Sequence, residues 1–281
     1  MTVKPYARPY ASSDAGSLSA ALVVRPTAAI DRLPPIAGEP SPIASRAEEQ
    51  HDIFVRTLRD RGVVVHEMRS AEQSPTRSLV ADCALLFPDG AVLARPSQID
   101  RRGEVAEVEK HLADLGVPVI GRIEAPGLLD ATDVAMAPGR VFVGVPSASP
   151  GLRRRSNEMG RKQLEAIATQ QGFAVVELPV SPEISRLRDV FSVVGADLAV
   201  AAPSRVDATP SGLRIVELPR GEELAAGVVT LGERRVVGNL RFRRAIALMR
   251  AAKIAVEAID MWEFGKAGFG PFALALPVKR A

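Results

Sequence analysis

VADCALLFPDGAVLARP (80–96) is the most informative segment of this 281-residue chain. Its two apolar runs flank Pro88-Asp89-Gly90, a tripeptide typical of a tight turn, and Pro96 ends the second run. The segment therefore predicts a β-hairpin. The same pattern recurs at 133–146, 189–203 and 225–239.

Most of these hairpins are followed by an amphipathic segment and then by a short apolar strand. The spacing of the apolar residues predicts helices, and Ser156 is the predicted N-cap of one of them. The stretch 203–213 is a loop at a place where a further helix would be expected. The predicted helices span 45–61, 102–115, 156–171 and 241–252, and the strands after them span 63–68, 117–122, 173–180 and 254–259.

The repeating unit is thus hairpin, helix and strand, and it occurs about five times. Repeats that each bury only one face must stack or close into a ring, and closure removes exposed sheet edges. We expect the C-terminal strand 270–278 to pair with the first strand, 21–26. The pattern predicts a single α/β domain over 21–281, with hairpins around a central channel and helices outside, preceded by a flexible arm at 1–20. A doubly wound parallel sheet is the alternative, but its strands and helices would alternate without hairpins.

Composition narrows the classes of function. The chain is 47% apolar and 25% charged, so a normal core can form, and no apolar run approaches the ~18 residues of a membrane span. Cys83 is the only cysteine, which excludes an intramolecular disulfide and a cysteine-rich metal site. A net charge of +3 and an aromatic share of 4% argue against nucleic-acid binding. The absence of signal-peptide, nucleotide and metal motifs predicts a cytoplasmic protein with no cofactor, no metal and no membrane partner.

Four further segments carry a resemblance to a known family: ARPSQIDRRGEV (94–105), LDATDV (129–134), VFVGVPS with RSNEMG (141–160) and GEELAAGVV (221–229). In their order and spacing they resemble the pentein superfamily, specifically its dimethylarginine dimethylaminohydrolase and arginine deiminase branch. The resemblance implies a five-bladed α/β propeller. It also implies chemistry at the central carbon of a guanidino group, with a cysteine nucleophile, a histidine acid/base and carboxylates that hold the guanidinium.

Both positions that the resemblance assigns to this catalytic pair are replaced. Ala273 stands at the cysteine position and Arg186 stands at the histidine position. Arginine remains protonated near neutral pH and cannot shuttle a proton. The histidines of the chain, His51, His66 and His111, fall away from the hairpin openings. The resemblance therefore predicts a pseudoenzyme that does not hydrolyse guanidino substrates.

The residues that the resemblance assigns to substrate binding are partly retained. Thr76 and Ala81 stand where the family has carboxylates, whereas Asp82 and Asp133 match the family pattern. The resemblance also assigns Arg95 and Arg155 to the α-carboxylate of a substrate, since two arginines can converge on one carboxylate. The alternative is that Arg95 only ends a strand and that Arg155 belongs to a solvated run of arginines at 153–155.

Asp82, Asp133 and Asp189 each open a predicted hairpin and are expected to point into the channel at equivalent places. Arg186 and Arg188 lie beside the third of them. We interpret this set as a buried ion-pair network that holds the blades together, in preference to a catalytic group. Cys83 follows Asp82 in a strand, so its side chain is expected to face the helix layer as a small buried apolar group.

Three hypotheses follow. The first is a non-hydrolytic protein that binds a small amino-acid-like carboxylate ligand or serves as a subunit of a homo- or hetero-oligomer. The second is an enzyme with a rebuilt site acting on a non-guanidino, amino-acid-like substrate. The third is an active guanidino hydrolase with Cys83 as nucleophile, which requires a different strand alignment. The candidate substrate-binding residues are Asp82, Arg95, Asp133, Arg155, Arg186 and Asp189.

Overall fold

A computed structural model describes residues 6–69, 74–146, 155–206 and 210–281. The strands, in chain order, are β1 Leu18–Val24, β2 Val64–Met68, β3 Ala84–Phe87, β4 Gly90–Leu93, β5 Val119–Arg122, β6 Val134–Ala137, β7 Arg140–Pro146, β8 Ala174–Val180, β9 Phe191–Gly195, β10 Leu198–Ala201, β11 Arg214–Glu217, β12 Val229–Gly232, β13 Arg235–Asn239, β14 Ala255–Ile259 and β15 Ala275–Arg280. The helices are α1 Ala44–Asp60, α2 Arg102–Asp114, α3 Glu158–Gln170, α4 Arg243–Ala251 and the single turn α5 Trp262–Gly265.

The strands form five sheets of three strands each, with orders β15-β1-β2, β3-β4-β5, β6-β7-β8, β9-β10-β11 and β12-β13-β14. In every sheet the middle strand is antiparallel to the first strand and parallel to the third. First strands of neighbouring sheets contact each other, β15 with β3, β6 with β9 and β9 with β12, and these strands form the inner wall. The predicted five-unit α/β propeller is confirmed.

The two ends of the chain complete one sheet together. β15 pairs antiparallel with β1, with Leu276 opposite Leu22, and β1 pairs in parallel with β2. This is the pairing predicted for the C-terminal strand. Because of this pairing, the strands at both ends of the chain have hydrogen-bonded neighbours where the ring closes. Closure thus avoids an isolated strand whose backbone groups would stay unpaired.

Helices connect the middle and outer strands of four sheets. Their apolar faces cover the sheets; for example, Phe54 and Leu58 of α1 are fully buried. The loop predicted at 203–213 contains no α-helix in its described part, and residues 207–209 lie outside the described residues. None of the helices in the described ranges combines the length and apolar character that a bilayer crossing requires.

The predicted flexible arm at 1–20 is wrong over most of its described length. Residues 18–20 belong to β1, and Tyr10 is 3% exposed. The Tyr10 backbone N–H donates to Pro88 O at 3.0 Å, and its hydroxyl donates to Gly116 O at 3.0 Å. Asp14 N donates to Met136 O at 2.8 Å. These partners lie far along the chain, so the local composition of the segment gives no sign of them.

The predicted N-cap, Ser156, is wrong by one residue, since the observed cap is the next residue along the chain. Asn157 caps α3, because its side-chain oxygen accepts from Gly160 N at 2.8 Å. The same oxygen accepts from Leu128 N at 2.8 Å, which ties the helix to the segment before β6. Both residue types are good caps, and only the tertiary contact distinguishes them.

Candidate functional site

Five short 3-10 turns lie at the entrances of the inner strands and meet around the channel. Three of them end in an aspartate, and each aspartate is buried: Asp82 and Asp133 are 0% exposed and Asp189 is 5% exposed. Asp133 accepts a hydrogen bond from Leu187 N at 2.8 Å, which joins two neighbouring turns. The structure therefore brings together the three aspartates that open the predicted hairpins.

Asp82 is the centre of a buried network. Arg101 Nη1 lies 2.5 Å from its carboxylate, the Thr132 hydroxyl donates to its other oxygen, and Arg186 Nη1 lies 3.6 Å away. Burial alone would raise the pKa of Asp82. The positive charges of Arg101, Arg186 and Arg155, with the Thr132 hydrogen bond, outweigh burial and lower that pKa to about 2.

Arg101 comes from the turn that precedes α2, and it is 2% exposed. Besides Asp82 it binds Glu104, with Nε at 3.0 Å and Nη2 at 2.9 Å, and it donates to Leu79 O at 3.0 Å. Its guanidinium is thus fully engaged with the protein. Arg101 and Glu104 lie within the segment 94–105, but neither was among the predicted site residues.

Arg186 lies where the resemblance places the histidine, and it is 2% exposed. Its Nε is 3.3 Å from Asp189, and its guanidinium carbon is 4.4 Å from the centroid of the Phe269 ring. The group is therefore a planar cation on an aromatic face with carboxylates of Asp82 and Asp189 beside it. Burial raises the pKa of Asp189, against the opposing attraction of Arg186.

Asp130 and Arg155 form the part of the network that reaches solvent. Arg155 Nη1 is 3.1 Å from Asp130, and the Arg155 side chain is 18% exposed, whereas Asp130 is 1% exposed. Burial and the nearby charge of Asp82 raise the pKa of Asp130 to about 7, in spite of Arg155. Asp130 was not among the predicted site residues, although it is the second residue of LDATDV.

Arg95, the other predicted carboxylate-binding arginine, is half-buried and lies beside the same segment. Its backbone exchanges hydrogen bonds with Leu129 in both directions at 3.0 Å, and its Nη1 donates to Gly127 O at 3.1 Å. Arg95 and Arg155 thus hold neighbouring residues of the stretch 127–130. Their role toward a ligand stays a prediction.

The candidate nucleophile and the histidines lie apart from this network. Cys83 is 0% exposed in an apolar cluster with Val108 and Leu112 of α2, and burial raises the pKa of its thiol. Ala273, also 0% exposed, lies in the turn 271–274. The histidines pack elsewhere: His51 on Phe54, His66 on the Tyr6 hydroxyl at 2.7 Å and His111 on Glu107 O at 3.3 Å.

No metal centre is formed in the described part of the chain, where no group of three or more His, Cys, Asp or Glu side chains is arranged to hold an ion. The channel instead sets four carboxylates, of Asp82, Glu104, Asp130 and Asp189, against three guanidinium groups, of Arg101, Arg155 and Arg186. Asp133 adds a further buried carboxylate to the channel. Burial raises the pKa of Asp130 to about 7 and also raises the pKa of Asp189, so these two carboxyls are the sites at which the network takes up protons.

Comparison with known proteins agrees with this fold. No family model matches the chain. The N(G),N(G)-dimethylarginine dimethylaminohydrolase of Pseudomonas aeruginosa is 27% identical over 224 residues, covering 78% of this chain and 84% of that protein. The enzyme of the same name from Streptomyces coelicolor is 29% identical over 220 residues, covering 78% and 81%.

Solved structures share the whole architecture. The P. aeruginosa enzyme, as a Cys-to-Ser mutant complexed with citrulline, has a TM-score of 0.80 at 23% identity and covers 92% of this chain and 99% of its own. The N-terminal domain of ArgZ, a cyanobacterial arginine dihydrolase bound to product, has a TM-score of 0.79 at 19% identity and covers 93% and 97%. The chain therefore shares its five-sheet α/β fold with these arginine-processing enzymes. Its sequence is similar to the dimethylarginine dimethylaminohydrolases.

Asp130→Asn should change how stability depends on pH. The pKa of Asp130 is raised from 3.8 to about 7 in the folded chain. Such a carboxyl stabilises the fold fully below its unfolded pKa, and the contribution is lost as pH rises through the folded pKa. Between about pH 4 and about pH 7 the wild type should lose on the order of 3 kcal/mol of unfolding free energy relative to the variant.

Urea denaturation at closely spaced pH values measures this difference. Asp114→Asn is the control, because Asp114 is exposed at the end of α2, and its profile should follow the wild type. Parallel profiles for wild type and Asp130→Asn over this range would contradict the assignment of the raised pKa to Asp130.

Proposed function

We propose that this protein does not hydrolyse guanidino groups and that it binds a small amino-acid-like carboxylate ligand at the solvent side of the channel. The observation that carries the first part is the position of Arg186, a guanidinium of the chain itself that is stacked on Phe269 and paired with Asp82 and Asp189. These partners are the kind that a guanidino substrate would need. Arg101 contacts the same carboxylate oxygen of Asp82 as Arg186 does.

The chemistry of the nucleophile supports the same proposal. Hydrolysis through a covalent intermediate needs a thiolate next to a proton donor. Cys83 is the only cysteine of the chain, and its buried position in the apolar cluster disfavours the thiolate. At the two positions that the resemblance assigns to catalysis the chain has Ala273 and Arg186, and neither side chain can attack carbon or shuttle a proton.

The ligand part of the proposal rests on Arg155 and Arg95. Arg155 uses Nη1 for Asp130, and its remaining N–H groups donate to no described residue. Arg95 is half-buried on the other side of the segment 127–130. Two guanidinium groups on one short segment, one of them partly exposed, can hold a carboxylate through charge-assisted hydrogen bonds.

A second candidate function is catalysis by a rebuilt site on a non-guanidino substrate. The observation that favours it is Asp130, a buried carboxyl with a pKa near neutrality beside the partly exposed Arg155. A group that titrates near the working pH can act as a general acid or base. This candidate requires a bond to be made or broken next to Asp130.

An assay of guanidino hydrolysis separates these functions. The protein is incubated with arginine, methylated arginines and agmatine, with the P. aeruginosa enzyme as positive control, and citrulline-type products are measured. We expect no product above the level of the Cys83→Ala variant. Product that is lost in Cys83→Ala would contradict the proposal. Product that survives Cys83→Ala but is lost in Asp130→Asn would also contradict the proposal and would assign guanidino hydrolysis to Asp130 instead of Cys83.

Ligand binding is tested by a thermal-shift screen of α-amino acids, citrulline included. A ligand that binds only the folded state raises Tm in proportion to RT ln(1 + [L]/Kd). We expect a concentration-dependent rise that is lost in Arg95→Ala and in Arg155→Met. Arg122→Met is the control, since Arg122 is exposed and pairs with Glu109, and it should retain the rise. An unchanged Tm with every amino acid tested would contradict ligand binding.

Arg186→Ala tests whether this part of the channel is a guanidinium site filled by the chain itself. The substitution leaves Asp82, Asp189 and the Phe269 ring without the cation, at a cost of about 3–5 kcal/mol. Methylguanidinium at millimolar concentration should then raise the Tm of the variant but not that of the wild type. Methylurea, which has a similar shape and no charge, should have no such effect. Equal responses of variant and wild type to methylguanidinium would count against a filled site.

A further inference from the structure

The channel contains a second set of charged side chains, separate from the Asp82 network. A cavity of about 60 Å³ lies between the inner strands and the N-terminal arm. Most of its wall is apolar, with side chains such as Met136 and Phe272. Its charged lining residues are Asp14 from the arm, Arg188 from the turn before β9 and Arg280 from β15. The carboxylates of the Asp82 network do not line it.

Arg280 is a buried cation that forms no ion pair with any carboxylate of the described residues. It is 4% exposed, and its Nη1 donates to two neutral carbonyls, Gly16 O at 2.9 Å and Thr230 O at 2.8 Å. Its Nε has no hydrogen-bond partner among the described residues. Burial lowers the pKa of Arg280 to about 10, and the charge of Asp14 offsets only part of this effect.

Arg188 adds a second guanidinium to the same wall. Its Nη1 forms an ion pair with Asp14 at 2.6 Å, and its Nε, like that of Arg280, has no partner in the described ranges. Asp14 also accepts from Met136 N at 2.9 Å, so its carboxylate is shared. Two guanidinium groups and one carboxylate leave the cavity wall with one uncompensated positive charge.

The size of the cavity limits what can supply the missing negative charge. One water needs roughly 10–15 Å³ of such a volume, so about 60 Å³ holds a few waters or one small ion with water. An amino acid does not fit into that space. The apolar remainder of the wall also gives few partners to a larger polyatomic anion.

We propose that this cavity binds one small monovalent anion of the halide type, held by the free N–H groups of Arg280 and Arg188. The anion neutralises the excess charge and fixes the arm to the channel, because Asp14 and Gly16 belong to the arm and contact these two arginines. The site is independent of the carboxylate ligand proposed above, which would bind at Arg95 and Arg155.

Crystals of the full chain grown with sodium bromide in place of chloride test the site directly. We expect an anomalous bromide peak in the cavity in contact with Arg280 Nε and Arg188 Nε. Bromide peaks confined to arginines on the outer surface would overturn the proposal.

A titration in solution gives an independent readout. Chloride is raised against sodium gluconate at constant ionic strength, since gluconate is too large for the cavity. The wild type should show a saturable rise in Tm of about 2–4 °C. Arg280→Met should lose the rise, and the control Arg234→Met, at a partly exposed arginine paired with Asp197, should keep it. A rise of equal size in Arg280→Met would overturn the proposal.

Asp14→Asn provides a second test of the site in case Arg280→Met does not fold. The substitution removes the one carboxylate of the cavity while preserving its shape, so the wall gains positive charge. Chloride should then reach half of its effect at a several-fold lower concentration than in the wild type. An unchanged or higher half-saturating concentration would count against an anion in this cavity.

Discussion

The contact between Asp82 and Arg101, at 2.5 Å with neither group more than 3% exposed, links the inner wall of the channel to the helix layer. A carboxylate buried in this way is tolerated only with cations and hydrogen-bond donors around it. Those partners come from different blades, with Thr132 from the turn before the third sheet and Arg186 from the turn before the fourth. The network therefore fixes how neighbouring blades sit against each other, a contribution to specificity that differs from a simple gain in stability.

Much of this fold can be predicted from sequence because the information is local. Turn residues such as Pro88-Asp89-Gly90 and the apolar runs beside them define each hairpin, and repetition of the unit implies closure. The contacts of Tyr10 and Asp14 could not be predicted in this way. Their partners, Gly116 and Met136, are more than 100 positions away. A polar segment that packs against the protein has the same kind of local composition as one that stays in solvent.

The same distinction between local and long-range information separates the site residues that were predicted from those that were not. Asp82, Asp133 and Asp189 were predicted to enter the channel because they occupy equivalent places in the repeat, and they are all buried there. Arg101 and Asp130 were missed, since neither opens a hairpin. The role of Phe269 as the ring beneath Arg186 depends on the packing of the C-terminal segment against the fourth blade. Such a contact has no signature in local periodicity.

The channel contains two clusters of charged side chains with opposite excess charge. Around Asp82, four carboxylates are paired with three guanidinium groups, and burial raises the pKa of two of these carboxyls, Asp130 and Asp189, so protonation relieves the excess negative charge. Around Arg280, two guanidinium groups face the single carboxylate of Asp14, and no proton can relieve that excess, because arginine holds its proton even when buried. The first imbalance is sensitive to pH and lies beside a partly exposed arginine, Arg155. The second is insensitive to pH near neutrality, so only an anion of suitable size can remove it.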